Sequence, residues 1–118
     1  MTATTAAHSG LAARWHAMSI LEQLGNVGSD VSRAIRAHEL GHVARFEAAL
    51  SRALELFDLT ATDPRWRGPR RREILRAREE FCRIFFDGPS DPVLVAGLER
   101  YFRYFAVAAN NRRAKRGP

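Results

Sequence analysis

Apolar side chains recur at intervals of three and four residues through most of this chain, which places them on one face of an α-helix. Four such stripes predict four helices, at about 19–40, 43–60, 69–86 and 92–111. Ser19 and Glu22 form a capping-box pattern at the start of the first stripe. Gly41 is typical of a left-handed helix end, and Pro69 and Pro92 suit the first position of a helix. No strand pattern competes with these stripes.

The links between the stripes are short, so consecutive helices should run antiparallel. The sequence therefore predicts an all-α fold, an up-down-up-down four-helix bundle over residues 19–111. A flexible lead-in, residues 1–18, precedes this domain, with an added helical turn at 11–15 as the alternative, and a basic tail, residues 112–118, follows it. Gly25 and Gly28 within the first stripe predict a close approach by another helix, or else a local kink.

Length and composition narrow the class of protein. A chain of 118 residues fits one domain. No stretch reaches the roughly 20 apolar residues that a membrane span needs, and residues 1–10 lack the features of a secretory signal. One cysteine, Cys82, excludes an intramolecular disulfide framework. We therefore expect a cytoplasmic protein that does not bind membranes.

Two short segments carry the positive charge of the chain. The net charge is +6, and nine of the 19 lysines and arginines lie within residues 65–72 and 112–116. If the helices alternate in direction, both segments lie at the same end of the bundle. The predicted nucleic-acid-binding residues are those basic side chains together with one aromatic residue between them: Arg65, Trp66, Arg67, Arg70, Arg71, Arg72, Arg112, Arg113, Lys115 and Arg116.

Each segment also has an interpretation without a ligand. Cations at the end of the fourth helix suit the negative pole of the helix dipole, and a basic tail aids solubility. Arg70, Arg71 and Arg72 instead begin a helix, where each cation costs about 0.3–1 kcal/mol, so they favour selection by an anionic partner. Trp66 offers a surface for base stacking, or else folds back to cap the end of the bundle.

Catalytic and metal-binding patterns are absent from the sequence. The histidines have no metal-site spacing, and there is no phosphate loop or nucleophile motif, so we predict no catalytic residue, no metal and no cofactor. One alternative is that Arg33 and His38 resemble the Arg-x4-His motif of HEPN-type helical ribonucleases. That resemblance implies a phosphate-stabilising role for Arg33 and an acid/base role for His38. His38 also falls on the apolar stripe, which is typical of a partly buried or interface histidine.

A further resemblance is carried by the chain's length, its basic helical character, the stretch Gly25-Asn26-Val27-Gly28 and the basic end over residues 109–117. In these features it is similar to the bacterial four-helix-bundle proteins encoded in ribosomal-RNA intervening sequences and to the accessory variability determinants of diversity-generating retroelements. The resemblance implies a ring-forming basic bundle that binds nucleic acid and, in the retroelement case, a reverse transcriptase.

The aromatic residues of the fourth stripe exceed what one buried face needs. Tyr101, Phe102, Tyr104 and Phe105 span more than one face, which favours homo-oligomerisation. The sequence thus predicts a non-catalytic protein that binds RNA or DNA, forms a homo-oligomer and serves as an accessory or adaptor to a nucleic-acid enzyme. The alternatives are the ribonuclease and an assembly scaffold whose basic end contacts an acidic partner protein.

Overall fold

A computed structural model describes residues 10–116 of the chain, and the described part consists of helices joined by short turns, without strands. The predicted all-α class is confirmed. Residues 10–116 form five α-helices, with a short 3₁₀ turn at Pro64–Trp66 between the third and the fourth. They are α1 (residues 10–16), α2 (Ile20–Glu39), α3 (Val43–Ala61), α4 (Pro69–Phe86) and α5 (Pro92–Arg116).

Local chemistry fixes the helix boundaries where the sequence predicts them. The Glu22 amide donates to Ser19 Oγ and the Ser19 amide donates to Glu22 Oε1, both at 3.2 Å, which completes the capping box of α2. Gly41 has a φ of 72°, and the His42 amide donates to the Ala37 carbonyl at 2.9 Å. This is a Schellman-type ending, so α3 begins only a few residues after α2 ends.

The core lies between the four long helices. α2 packs against α3 and α5, and α4 packs against the same two helices from the other side. Phe57 of α3 is fully buried, and its ring centroid lies 5.8 Å from those of Phe81 in α4 and Phe102 in α5. Because each buried aromatic side chain contributes about 1.5–3 kcal/mol, these contacts hold α3, α4 and α5 together.

Gly25 and Gly28 lie where α2 meets α5. A Cβ atom on Gly28 would lie 2.6 Å from Phe102 Cβ, and one on Gly25 would lie 3.4 Å from the Ala106 Cα. The close helix approach predicted from these glycines is therefore confirmed.

Both ends of the described chain differ from the predicted boundaries. The lead-in includes α1, and Trp15 within it is only 3% exposed, so the packed domain begins before residue 19. Residues 1–9 of the predicted lead-in lie outside the described residues. At the other end α5 continues through Arg116, so residues 112–116 extend a helix rather than form a separate tail, and residues 117–118 lie outside the description.

Among residues 10–116, no helix combines the length and the apolar character that crossing a bilayer requires.

Candidate nucleic-acid interface

A buried glutamine organises the end of the molecule where α2 starts and α3 ends. Gln23 is fully buried, and its Nε2 donates to the Trp15 carbonyl at 2.8 Å and to Asp63 Oδ2 at 3.1 Å. Its Oε1 accepts a 2.7 Å hydrogen bond from Trp66 Nε1. Trp15 Nε1 in turn donates to Thr60 Oγ1 at 2.9 Å. This network fixes α1 and the 3₁₀ turn against the start of α2.

Asp63 and Arg65 form an ion pair beside that glutamine. Asp63 is 1% exposed and accepts from Arg65 Nη2 at 2.7 Å and from the Arg65 amide at 3.0 Å. Burial raises the pKa of Asp63, but the hydrogen bonds from Arg65 and Gln23 outweigh it, so the pKa lies well below its ordinary value. The same hydrogen bond raises the pKa of Arg65, whose Nη2 also donates to the Met18 carbonyl at 2.7 Å.

Trp66 folds back onto the protein. Its indole nitrogen is bonded to Gln23, and the Arg65 guanidinium lies 4.5 Å from its ring centroid, a cation–π contact. The structure therefore agrees with the second interpretation of Trp66, in which the ring folds back onto the helix ends. Arg65 and Trp66, both predicted to bind nucleic acid, make these contacts inside the protein.

Arg70 and Arg71 at the start of α4 also have internal partners. Arg70 Nη1 donates to Glu73 Oε1 at 3.1 Å, and its guanidinium lies 6.0 Å from the Phe105 ring centroid. Arg71 Nη2 donates to the Asp63 carbonyl at 3.3 Å, while its buried Nε has no hydrogen-bond partner. Glu73 accepts a 2.6 Å hydrogen bond from Tyr101 as well; burial and this hydrogen bond raise the pKa of the tyrosine.

The remaining predicted cations are exposed and make no ion pair with any other residue in the described part of the chain. We call them the free cations: Arg67, Arg72, Arg112, Arg113 and Lys115. Arg116 is the last residue of α5, and its side chain lies outside the description. The predicted cluster thus divides into residues that build this end of the protein and residues that point into solvent.

Contacts of α5 bring the two basic segments to the same end. Arg113 lines a groove with Glu22 and Gly25 from the first turns of α2. Earlier on α5, Phe105 lies 6.0 Å from the Arg70 guanidinium at the start of α4. The C-terminal half of α5 therefore lies beside both the start of α2 and the start of α4. We call the five free cations, which lie at this end of the protein, the basic pole.

A second cationic surface was missed from the sequence. Arg33 and Arg36 of α2 and Arg45 and Arg52 of α3 line a groove between these helices, with a volume of about 480 Å³. We call it the α2–α3 groove. Spacings of three residues on α2 and seven on α3 place each pair on one helix face, and this signal was present in the sequence.

Arg33 and His38 do not converge on a common site. They are five residues apart on a helix with 3.6 residues per turn, so they lie about 140° apart around its axis. Arg33 donates to Asp30 at 2.7 Å in the α2–α3 groove, whereas the His38 ring centroid lies 5.0 Å from those of Phe46 and Phe85. His38 is exposed, although its ring contacts these two aromatic side chains.

No group of three or more His, Cys, Asp or Glu side chains in the described part of the chain could hold a metal ion. Comparisons of the chain with models of protein families, with curated proteins and with solved structures find no match.

Proposed function

We propose that the protein binds RNA or DNA, without catalysing a reaction, through the phosphate backbone at the basic pole. This proposal rests on one observation, the contrast between paired and unpaired cations at that end. Arg65 and Arg70 are paired with carboxylates, while five cations beside them have no carboxylate partner among the described residues. Unpaired cations held together on a rigid support attract polyanions and displace their counterions.

We further propose that α2–α5 form the predicted up-down-up-down bundle, with α1 added across one end. The ring of contacts supports it, because each long helix packs against the two that flank it in the order α2, α3, α4, α5 and back to α2. In such a bundle the free cations are carried on helix ends that the core holds in place, so little ordering entropy is lost on binding.

The strength of binding should depend steeply on salt. Five phosphate contacts give a slope of log K against log salt of about −3.5 for single strands and about −4.5 for duplex DNA. Fluorescence anisotropy with a labelled RNA strand and a labelled DNA duplex, measured across salt concentrations, provides both slopes. The double variant Arg67→Glu/Arg72→Glu should weaken binding to both probes and reduce each slope by about 1.4–1.8.

A variant with the same change in net charge controls for the overall field of the protein. Arg36 and Arg45 are also exposed and make no ion pair with a described residue, but they lie in the α2–α3 groove. Arg36→Glu/Arg45→Glu should retain most of the affinity and the slope of the unchanged protein. Equal loss in both double variants would show attraction by net charge alone and would contradict a localised interface.

We also propose that the protein acts as an oligomeric accessory or adaptor, as its resemblance to intervening-sequence and accessory-determinant bundles implies. The support is a group of exposed apolar side chains on the outer face of α5, where Arg100 and Arg103 also lie. Val93, Tyr104 and Val107 are 82%, 66% and 50% exposed, and they lie on the opposite side of the helix from the buried Phe102. A second copy of the chain packing there would cover these side chains, and a nucleic-acid enzyme such as a reverse transcriptase is the further partner that the resemblance implies.

A further inference from the structure

The α2–α3 groove is lined by both apolar and cationic side chains. Its apolar lining residues, which we call the floor, are Ala37, Leu40, Ala48 and Ala49, and four arginines line the same groove. Its volume of about 480 Å³ falls within the range of about 300–1,000 Å³ that is typical of small-molecule sites. A groove with this lining can bury the apolar part of a ligand and pair with the negative charge of the same ligand.

Positive charge is unevenly compensated along the groove. Asp30 is its only carboxylate among the described lining residues, and it holds Arg33 at 2.7 Å and Arg52 at 3.8 Å. Arg36 and Arg45 make no ion pair with any described residue. The excess charge therefore lies toward the Leu40 end of the groove, away from Asp30.

The start of α3 adds to this charge. His42 is the N-cap of α3 and makes no side-chain capping hydrogen bond, and the first turn holds no acidic residue. The first amides of a helix carry a partial positive charge that favours an anion nearby. Because His42 and Arg45 both line the groove, this helix end and the two unpaired arginines act on the same region.

We propose that the α2–α3 groove binds a small amphipathic anion, with a carboxylate or phosphate head between Arg36 and Arg45 and an apolar body on Ala37, Ala48 and Ala49. A head group alone would leave the floor in water, and a neutral apolar molecule would leave the guanidinium groups without a partner. An extended nucleic-acid strand would place its charged backbone over the apolar floor. The site is separate from the basic pole and is independent of nucleic-acid binding.

Isothermal titration calorimetry tests the chemistry of the ligand. Decanoate and decyl phosphate are the probes, acetate and inorganic phosphate supply the head alone, and 1-decanol supplies a neutral apolar chain of matched length. At least one decyl anion should bind saturably, one per chain, and roughly tenfold or more tightly than any of the three partial probes, as expected for a charge-assisted contact added to apolar burial. The stronger of the two decyl anions identifies the head group. Absence of saturable binding, or equal binding of 1-decanol, would overturn the proposal.

Two pairs of variants test the location. Arg36→Gln/Arg45→Gln should weaken the decyl anion about tenfold or more, while Arg76→Gln/Arg100→Gln, which removes the same charge from exposed positions outside the groove, should not. Filling the floor with Ala48→Trp should abolish binding, and Ala96→Trp on the surface of α5 should leave it unchanged. All four substituted chains change exposed side chains, and circular dichroism confirms that each is folded.

The outcome also separates this site from the basic pole. If Arg36→Gln/Arg45→Gln weakens RNA or DNA binding as much as Arg67→Gln/Arg72→Gln does, nucleic-acid binding is not separate from the groove and the proposal is wrong. Loss of the decyl anion with full retention of nucleic-acid affinity supports it.

Discussion

Asp63 joins several polar groups at the end of the protein that carries the basic pole. Its buried carboxylate receives hydrogen bonds from Arg65 and from Gln23, and the Arg71 side chain bonds to its carbonyl. The Arg65 side chain is still 42% exposed, so solvent screens part of the attraction. The hydrogen bonds to the charged carboxylate, rather than the Coulomb attraction, therefore provide most of the stabilisation.

Asp63→Asn should destabilise the fold and flatten its response to acid. The amide nitrogen of an asparagine would face donors, so we expect a loss of about 1–3 kcal/mol at pH 7. The pKa of Asp63 is lower in the folded protein than in the unfolded chain. Its contribution is therefore complete above the ordinary aspartate pKa of about 4 and declines as the pH falls below that value. Urea unfolding at pH 7, 4 and 3, followed by circular dichroism, measures both effects.

Asp58 is the matched control for this measurement. It pairs with Arg78 at 3.0 Å, but its side chain is 60% exposed, so Asp58→Asn should change stability by less than about 1 kcal/mol. The difference between the unchanged protein and Asp63→Asn should shrink as the pH falls. A difference that stays constant down to pH 3 would show that the charge of Asp63 does not stabilise the fold.

At the scale of helices, the boundaries were predictable wherever a local signal sets them. Ser19, Gly41, Pro69 and Pro92 act through neighbouring backbone groups, so their effects can be inferred from a few residues of sequence. The sequence supports α1 only as an alternative, because the seven residues described in it make about two turns and show no clear periodicity.

The partners of the polar side chains were not predictable in the same way. Gln23 bonds to Asp63 and Trp66 across 40 and 43 positions of sequence, and only the packing of α2 against the 3₁₀ turn brings them together. For the same reason the sequence identified the basic segments but could not separate the paired Arg65 and Arg70 from the free Arg67.

Because α2 packs closely against α5, we expect alanine substitutions at two glycines of α2 to have opposite effects on stability. Gly28→Ala places a methyl group 2.6 Å from Phe102 Cβ, and the resulting strain of about 1–3 kcal/mol exceeds the gain of about 1 kcal/mol in helix propensity. Gly25→Ala meets Ala106 at an ordinary contact distance of 3.4 Å, so the propensity gain should leave stability unchanged or raised. Thermal unfolding of the two variants compares them directly, and equal effects would contradict the described packing of α2 on α5.

At the scale of the whole molecule, α5 exposes apolar side chains on the face opposite the core. Tyr104 and Val107 are exposed on a helix whose opposite face is already buried in the core. A helix that is apolar on both sides is typical of one that is covered on both sides. We propose that a second copy of the chain packs against this face of α5. Such packing would place several basic poles within one assembly.

Tyr104→Glu should therefore return the protein to single chains. Light scattering during size-exclusion chromatography should give a multiple of 13.3 kDa for the unchanged protein and about that mass for the variant, because a buried carboxylate without a partner opposes association. Val43→Glu is the control, since Val43 is also 66% exposed but lies at the start of α3.

The variant at Tyr104 should also bind long RNA less tightly while binding to short RNA changes little, because several linked poles on one strand raise the effective concentration of each. An unchanged protein of single-chain mass at every concentration would contradict both the assembly and this length dependence, while leaving phosphate binding by one pole intact.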